Sequence, residues 1–157
     1  MKDNYEKARE DYFDFYTNRH KDMVDAYPGI IEILEFIKSK KIPVSIYTGK
    51  GRESSEITLK KTGLYDFFDM IVTGDDIQGC KPSPEGIIKF ASSFNLNPGK
   101  ILMIGDAPAD IIAARSAGSK VASVIWDSYD KKKVLEMKSD YVFENTASLL
   151  KFLQANL

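Results

Sequence analysis

Ile101-Leu102-Met103-Ile104-Gly105-Asp106-Ala107-Pro108-Ala109-Asp110-Ile111 is the stretch on which the reading of this chain turns. A short apolar run stops at a glycine and an aspartate, as a buried strand does at its tip. Pro108 suits the opening of the helix that follows, where a missing N–H is no loss. Asp106 then stands at the strand tip and Asp110 in the first helical turn. The four-residue step lets both carboxylates converge on one cation, and carboxylate oxygens are the hard ligands that magnesium prefers. Helix capping by Asp106 would explain one aspartate, but not the pair.

Outward from this stretch the same rhythm repeats. Apolar runs at 42–47, 70–72, 101–104, 121–126 and 141–143 alternate with helical patterns at about 52–62, 84–95, 108–116, 130–137 and 146–154. Continuously apolar strands alternating with helices predict an α/β fold, a Rossmann-like parallel sheet with helices on both faces. In such sheets ligands bind at the carboxyl ends of the strands, so the polar residues after each strand carry the function. After the first run come Thr48 and Gly49, a hydroxyl and a backbone amide able to hold a phosphate oxygen; Thr-Gly is also a common strand-to-helix turn. After the second comes Gly79-Cys80-Lys81-Pro82-Ser83-Pro84-Glu85, where prolines fix a turn that carries a lysine, a point cation suited to phosphate. An isolated Lys-Pro is more often a solvated loop.

A hydroxyl, a Lys-Pro turn and a Gly-Asp-x-x-x-Asp, in this order at successive strand tips, resemble the haloacid dehalogenase superfamily. The likeness is to its phosphoglycolate-phosphatase-like and phosphoglucomutase-like members with small helical caps. Flanking residues agree: Tyr27-Pro28-Gly29 before the first helix, Lys81-Pro82-x-Pro84-Glu85, and Asp110-Ile111-x-Ala113-Ala114-x-x-Ala117-Gly118. The resemblance covers about residue 27 to the end. It implies magnesium-dependent hydrolysis of a small phosphomonoester. Thr48 and Gly49 would bind the phosphoryl oxygens, Lys81 would join Thr48 in catalysis and phosphate binding, and Asp106 with Asp110 would hold Mg²⁺.

The family's first motif is an Asp-x-Asp after a central strand near the N-terminus; its first carboxylate attacks phosphorus. No Asp-x-Asp follows an apolar strand before residue 42. Asp11-Tyr12-Phe13-Asp14 has the wrong spacing and lies in a helical pattern, and Asp127-Ser128-Tyr129-Asp130 comes too late. Residues 1–26 instead read as a helical arm resembling the end of a cap, ahead of an α/β core at 27–157. Without its first strand the sheet has an empty central slot between the strands carrying Thr48 and Asp106. A homo-oligomer, a complementing N-terminal segment, or direct pairing of the two neighbours would close it, association being favoured because open edges template pairing. The isolated chain is expected to be inactive. The alternative is a non-catalytic domain that binds a phosphorylated ligand or a protein partner.

Bulk properties fit this frame. The 157 residues suit one domain, and 22 basic against 23 acidic side chains leave a formal charge of −1. Nucleic acid and anionic membrane surfaces ask for a basic excess, so neither is an expected partner. With one cysteine and no long apolar run, a cytoplasmic protein is the expectation. His20, the only histidine, is expected to pack in the arm; Cys80 reads as a plain loop thiol, and Asp75 and Asp76 as turn residues. Lys50 and Arg52 read as solvated helix-start residues that could add positive potential near the phosphate. Trp126 is expected to pack at the rim of the site.

Overall fold

The computed structural model describes residues 2–19 and 23–157, so His20 lies outside the described residues. Among its described residues the arm holds one helix, α1 (Lys2–Asn18), and Met23 to Ala26 are not helical. Pro28 biases the residue before it towards extended backbone, which keeps the arm from running into the core helix. Ring contacts between Tyr12 and Phe13 (5.3 Å) and between Tyr12 and Tyr16 (4.8 Å) line one side of α1. The arm packs against α3 (Arg52–Lys61).

The core alternates as its apolar runs predict. Strands β1 (Ser45–Tyr47) and β2 (Met70–Val72) form one parallel pair. Strands β3 (Leu102–Gly105), β4 (Lys120–Val124) and β5 (Tyr141–Phe143) form a second parallel sheet, ordered β3-β4-β5. Helices α4 (Glu85–Ser93), α5 (Pro108–Ala117) and α6 (Lys131–Glu136) cover one face. There Ile87, Ile111, Val121 and Val134 make a buried cluster, joined by Tyr47 and Met103. Helices α2 (Ile30–Ser39) and α7 (Thr146–Asn156) cover the other face, with Ile33, Ile37, Phe143, Leu149 and Leu153 buried among Val44 and Leu102. Each such side chain taken out of water contributes about 1.5–3 kcal/mol.

The two sheets do not join: among the described residues no ladder connects β1 to β3. Hydrogen bonding shows which groups this leaves open. Thr48 donates to Val72 O (2.9 Å) and Val44 O accepts from Asp69 (2.8 Å), so the even positions of β1 turn to β2. Ile101 O accepts from Lys120 (3.1 Å), so the odd positions of β3 turn to β4. Parallel ladders alternate, so the backbones of Ser45 and Tyr47 on one side, and of Leu102 and Ile104 on the other, turn to unpaired edges. Ile104 is 36% exposed, unusual for a position flanked by two helix layers. Of the routes expected for closing the slot, direct pairing of β1 with β3 is not the one taken. Helices hold the halves together instead: α4 packs on β1 and on α5, while α2 packs on α7.

Asp69, just before β2, ties the lower end of the first pair. Its carboxylate accepts from Lys38 Nζ and from Val44 N, both at 2.8 Å. The Lys38 bond, and then the Val44 amide, hold its pKa below the ordinary aspartate value of 3.8. A depressed carboxylate contributes stability above its unfolded pKa and loses it as pH falls through the folded value. Asp69→Asn should therefore cost stability at neutral pH and cost less at about pH 3. Urea unfolding of both proteins at the two pH values checks this; an equal cost at both would refute it.

Candidate active site

The carboxyl ends of β1, β2 and β3 carry the residues singled out in the sequence. Thr48 follows β1 and is half-buried; its Oγ1 accepts from the Lys50 amide (3.2 Å), leaving its own hydrogen to donate. Gly49 is exposed beside it, and its carbonyl passes so close to Gly74 that a Cβ there would stand 2.8 Å away.

After β2, Thr73 begins a tight turn. Its amide and hydroxyl both donate to Asp76 Oδ2, at 2.8 and 2.7 Å. Burial raises the Asp76 carboxyl, but the Thr73 bonds and Arg52 outweigh it and leave its pKa lowered. Arg52 donates to that same carboxylate (2.5 Å) and to Ile71 O (3.0 Å), and Asp75 accepts from the Arg52 amide (2.7 Å). Arg52, Asp75 and Asp76 thus brace the end of β2 against α3, in line with the turn reading of the aspartates. Lys50 stands apart from this network, with its ammonium 5.7 Å from the ring of Tyr16 on the arm.

The turn at 79–85 is closed by Glu85, whose carboxylate accepts from Gln78 N and Gly79 N. This presents Lys81 inward, where its Nζ donates to Asp110 Oδ1 at 2.7 Å. Cys80 is exposed and free. Asp110 is 2% exposed, and its second oxygen accepts from the amides of Asp106 (3.1 Å) and Ala107 (3.0 Å). It thus reaches back to the N-cap amide of α5, as the acid of a capping box does, and bonds Lys81 at once, so that both oxygens of a buried carboxylate have partners. Gly105 makes room for it, since a Cβ there would lie 2.4 Å from Asp110 Cγ.

Asp106, by contrast, is exposed, and its backbone carbonyl accepts from Ser128 Oγ (2.5 Å). It opens onto a cleft of about 220 Å³ shared with Tyr27, Val124, Trp126 and Asp127. Tyr27 donates to Asp127 and meets Trp126 edge-on, with ring centroids 6.4 Å apart. The Asp127 bond raises the Tyr27 pKa above the ordinary tyrosine value. Trp126 is half-buried on the cleft wall, the rim position expected of it.

The structure thus joins Lys81 to Asp110 directly and to Thr48 through Tyr47, whose ring lies under the lysine. No group of three acidic, histidine or cysteine side chains suited to a metal occurs among the described residues. As a test of fit for magnesium, Asp106 offers a free carboxylate; Asp110 offers only the lone pairs left by Lys81 and two amides. Sequence reasoning gave no role to Tyr47, Tyr27 or Ser128. A tyrosine ending an apolar run reads as core, and nothing in the residues themselves reveals partners far along the chain.

Known proteins resemble this chain in sequence and in fold. The haloacid dehalogenase-like hydrolase family matches residues 1–124. The pyrophosphatase PpaX of Bacillus thuringiensis (strain Al Hakam) is 32% identical over 142 residues, covering 90% of this chain and 66% of that protein. The chain thus spans just under two thirds of that relative's length. A crystal structure assigned as a beta-phosphoglucomutase from Thermotoga maritima superposes with a TM-score of 0.82 at 27% identity, over 99% of this chain and 70% of that one. A HAD phosphatase from Thermococcus onnurineus superposes with a TM-score of 0.70 at 27% identity, over 82% of this chain and 58% of that one. No helix of the described residues is long and apolar enough to cross a membrane. With a family model matching residues 1–124, a relative 32% identical over 90% of the chain and neighbours of the same fold, this chain belongs to the haloacid dehalogenase-like hydrolases.

Proposed function

We propose that this chain is the phosphate- and metal-holding part of a magnesium-dependent phosphomonoester hydrolase, whose attacking aspartate enters on a strand seated between β1 and β3. The observation that carries the reading is the pair of unpaired edges beside a finished Lys81–Asp110 couple. A strand in that slot could bond the free backbone groups of Ser45 and Tyr47 on one side and of Leu102 and Ile104 on the other. Its carboxyl end would emerge beside Thr48 and Asp106.

Each residue then has a role. The Thr48 hydroxyl and the Gly49 amide bind phosphoryl oxygens. Lys81, its charge partly balanced by Asp110, offsets charge shared between phosphate and nucleophile. Asp106, with the spare lone pairs of Asp110, would hold Mg²⁺, which supplies further neutralisation of phosphate charge. The attacking carboxylate must come from outside this sequence, because covalent phosphoryl transfer has no other starting point here. Relatives bearing pyrophosphatase and phosphatase names support a small phosphorylated substrate.

Magnesium binding tests the metal part. With one free carboxylate the affinity should be weak, in the millimolar range of sparsely ligated sites. Asp106→Ala should abolish it. Calorimetric titrations that are alike for wild type and variant would remove Asp106 from the site.

A further inference from the structure

We infer that Tyr47 is a positioning residue that fixes where Lys81 sits; its relevance to phosphate rests on the reading of Lys81 given above. Tyr47 closes β1 immediately before Thr48, and its side chain crosses to the next loop. The phenol donates to Ser83 O at 2.9 Å, with Gly79 O at 3.4 Å as a second acceptor. These two carbonyls bracket Lys81 and Pro82. The Lys81 ammonium lies 5.6 Å from the ring centroid, within the reach of a cation–π contact, and the same nitrogen bonds Asp110 at 2.7 Å. Lys81 is therefore held between an aromatic face and a carboxylate.

The ring needs unusual room. A Cβ on Gly86 would stand 2.5 Å from it, so α4 presents a glycine where the ring lies. Burial, ahead of the nearby Cys80, Glu85 and Asp110, keeps the phenol pKa above its ordinary value, so it remains a donor. A strand tip facing a core asks only for an apolar side chain, and phenylalanine would fill the same space. The hydroxyl adds a tie between the strand bearing Thr48 and the loop bearing Lys81. No ladder makes that tie, because Lys81 lies well past the end of β2.

The test uses protein grown with ¹³C-labelled lysine, in which the Lys81 ε-methylene is assigned by its loss in Lys81→Arg. An ammonium over a ring face should carry its ε-protons upfield of the other lysines. Tyr47→Leu should return the resonance to the common position. Gly86→Ala, which leaves every charge and hydroxyl in place, should move it by displacing the ring. Tyr47→Phe, which unties the Lys81 loop from β1, should keep only part of the upfield shift and weaken inorganic phosphate binding by at most about fivefold, the worth of the one hydrogen bond that sets the loop's position. The inference falls if the wild-type resonance is unshifted, or if Tyr47→Leu and Gly86→Ala leave it in place. It also falls if Tyr47→Phe matches wild type in phosphate affinity while Lys81→Ala weakens it. If Lys81→Ala itself leaves phosphate binding unchanged, the phosphate reading of the site fails, and the shifts alone decide whether Tyr47 holds Lys81.

Discussion

Incubated with magnesium and a chromogenic phosphomonoester, the chain alone is expected to release no phosphate above background. Turnover is expected when a separate peptide, an apolar strand ending in Asp-x-Asp, is added. Loss of a covalent nucleophile costs on the order of 10⁶-fold in kcat, which puts residual turnover below ordinary detection. Peptide binding should be driven by backbone pairing to both open edges and by burial of its alternate side chains against the two helix layers. A peptide with Asn in place of the first Asp is the control, since it can fill the slot and bind phosphate but cannot attack. Robust turnover by the chain alone, abolished by Asp106→Ala, would sink the prediction and point to a nucleophile within this sequence. Equal rates with the Asp and Asn peptides would show that the slot serves structure only.

Asp110→Ala should be the most damaging substitution for stability among the four candidate site residues. Asp110 is buried, accepts two backbone amides at the start of α5 and neutralises Lys81, so alanine removes a cap and strands a partly buried cation. Loss of a cap costs about 1 kcal/mol, and breaking a buried ion pair costs about 3–5 kcal/mol. Lys81 retains some contact with water, so we expect about 3 kcal/mol in all. For a domain of this length that lowers Tm by about 6–12 °C. Lys81→Met should cost less, since the amides still satisfy one oxygen of the carboxylate. Pairing the two substitutions in a double-mutant cycle isolates the ion pair. A Tm for Asp110→Ala within a degree or two of wild type would mean that the carboxylate is not held as described.

Much of this was legible in the residues. The apolar runs fix five strands almost where they lie, and the boundaries of the helices that follow the strands fall within one or two residues of their Pro, Gly or polar signals. Strand tips are where sequence speaks most clearly about chemistry, because a strand has one end and the following residue must leave it. Thr48 and Asp106 therefore stood out as residues that follow a strand, and the bond between Lys81 and Asp110 brings two further candidates together. What was not legible depends on pairs far apart in sequence. The pairing of Lys81 with Asp110, the crossing of Tyr47 to Ser83 and the link of Tyr27 to Asp127 each need the fold before they exist. The same is true of Arg52, whose charge is spent on Asp76 and Ile71 and not on solvent. The arm was read as helix up to its proline, whereas α1 ends at Asn18, because periodic aromatics mark a helix but not its C-terminus.

The lack of a ladder between β1 and β3 also bears on how the chain folds. Every strand pair present is between sequence neighbours joined by a single crossover, β1 with β2 and then β3 with β4 with β5. Each of these pairs closes a shorter loop than a pairing of β1 with β3 would, and the entropic cost of closure grows with loop length. What joins the halves is side-chain packing, α2 on α7 and α4 on β1 and α5, with bonds such as Lys81 to Asp110, and among the described residues no strand ladder. Cooperativity follows contiguous hydrogen bonding and packing, so the halves, which share side-chain contacts but no ladder, are expected to open in two transitions of unequal free energy. A strand laid between them would add pairing to both at once and fuse the two transitions into one.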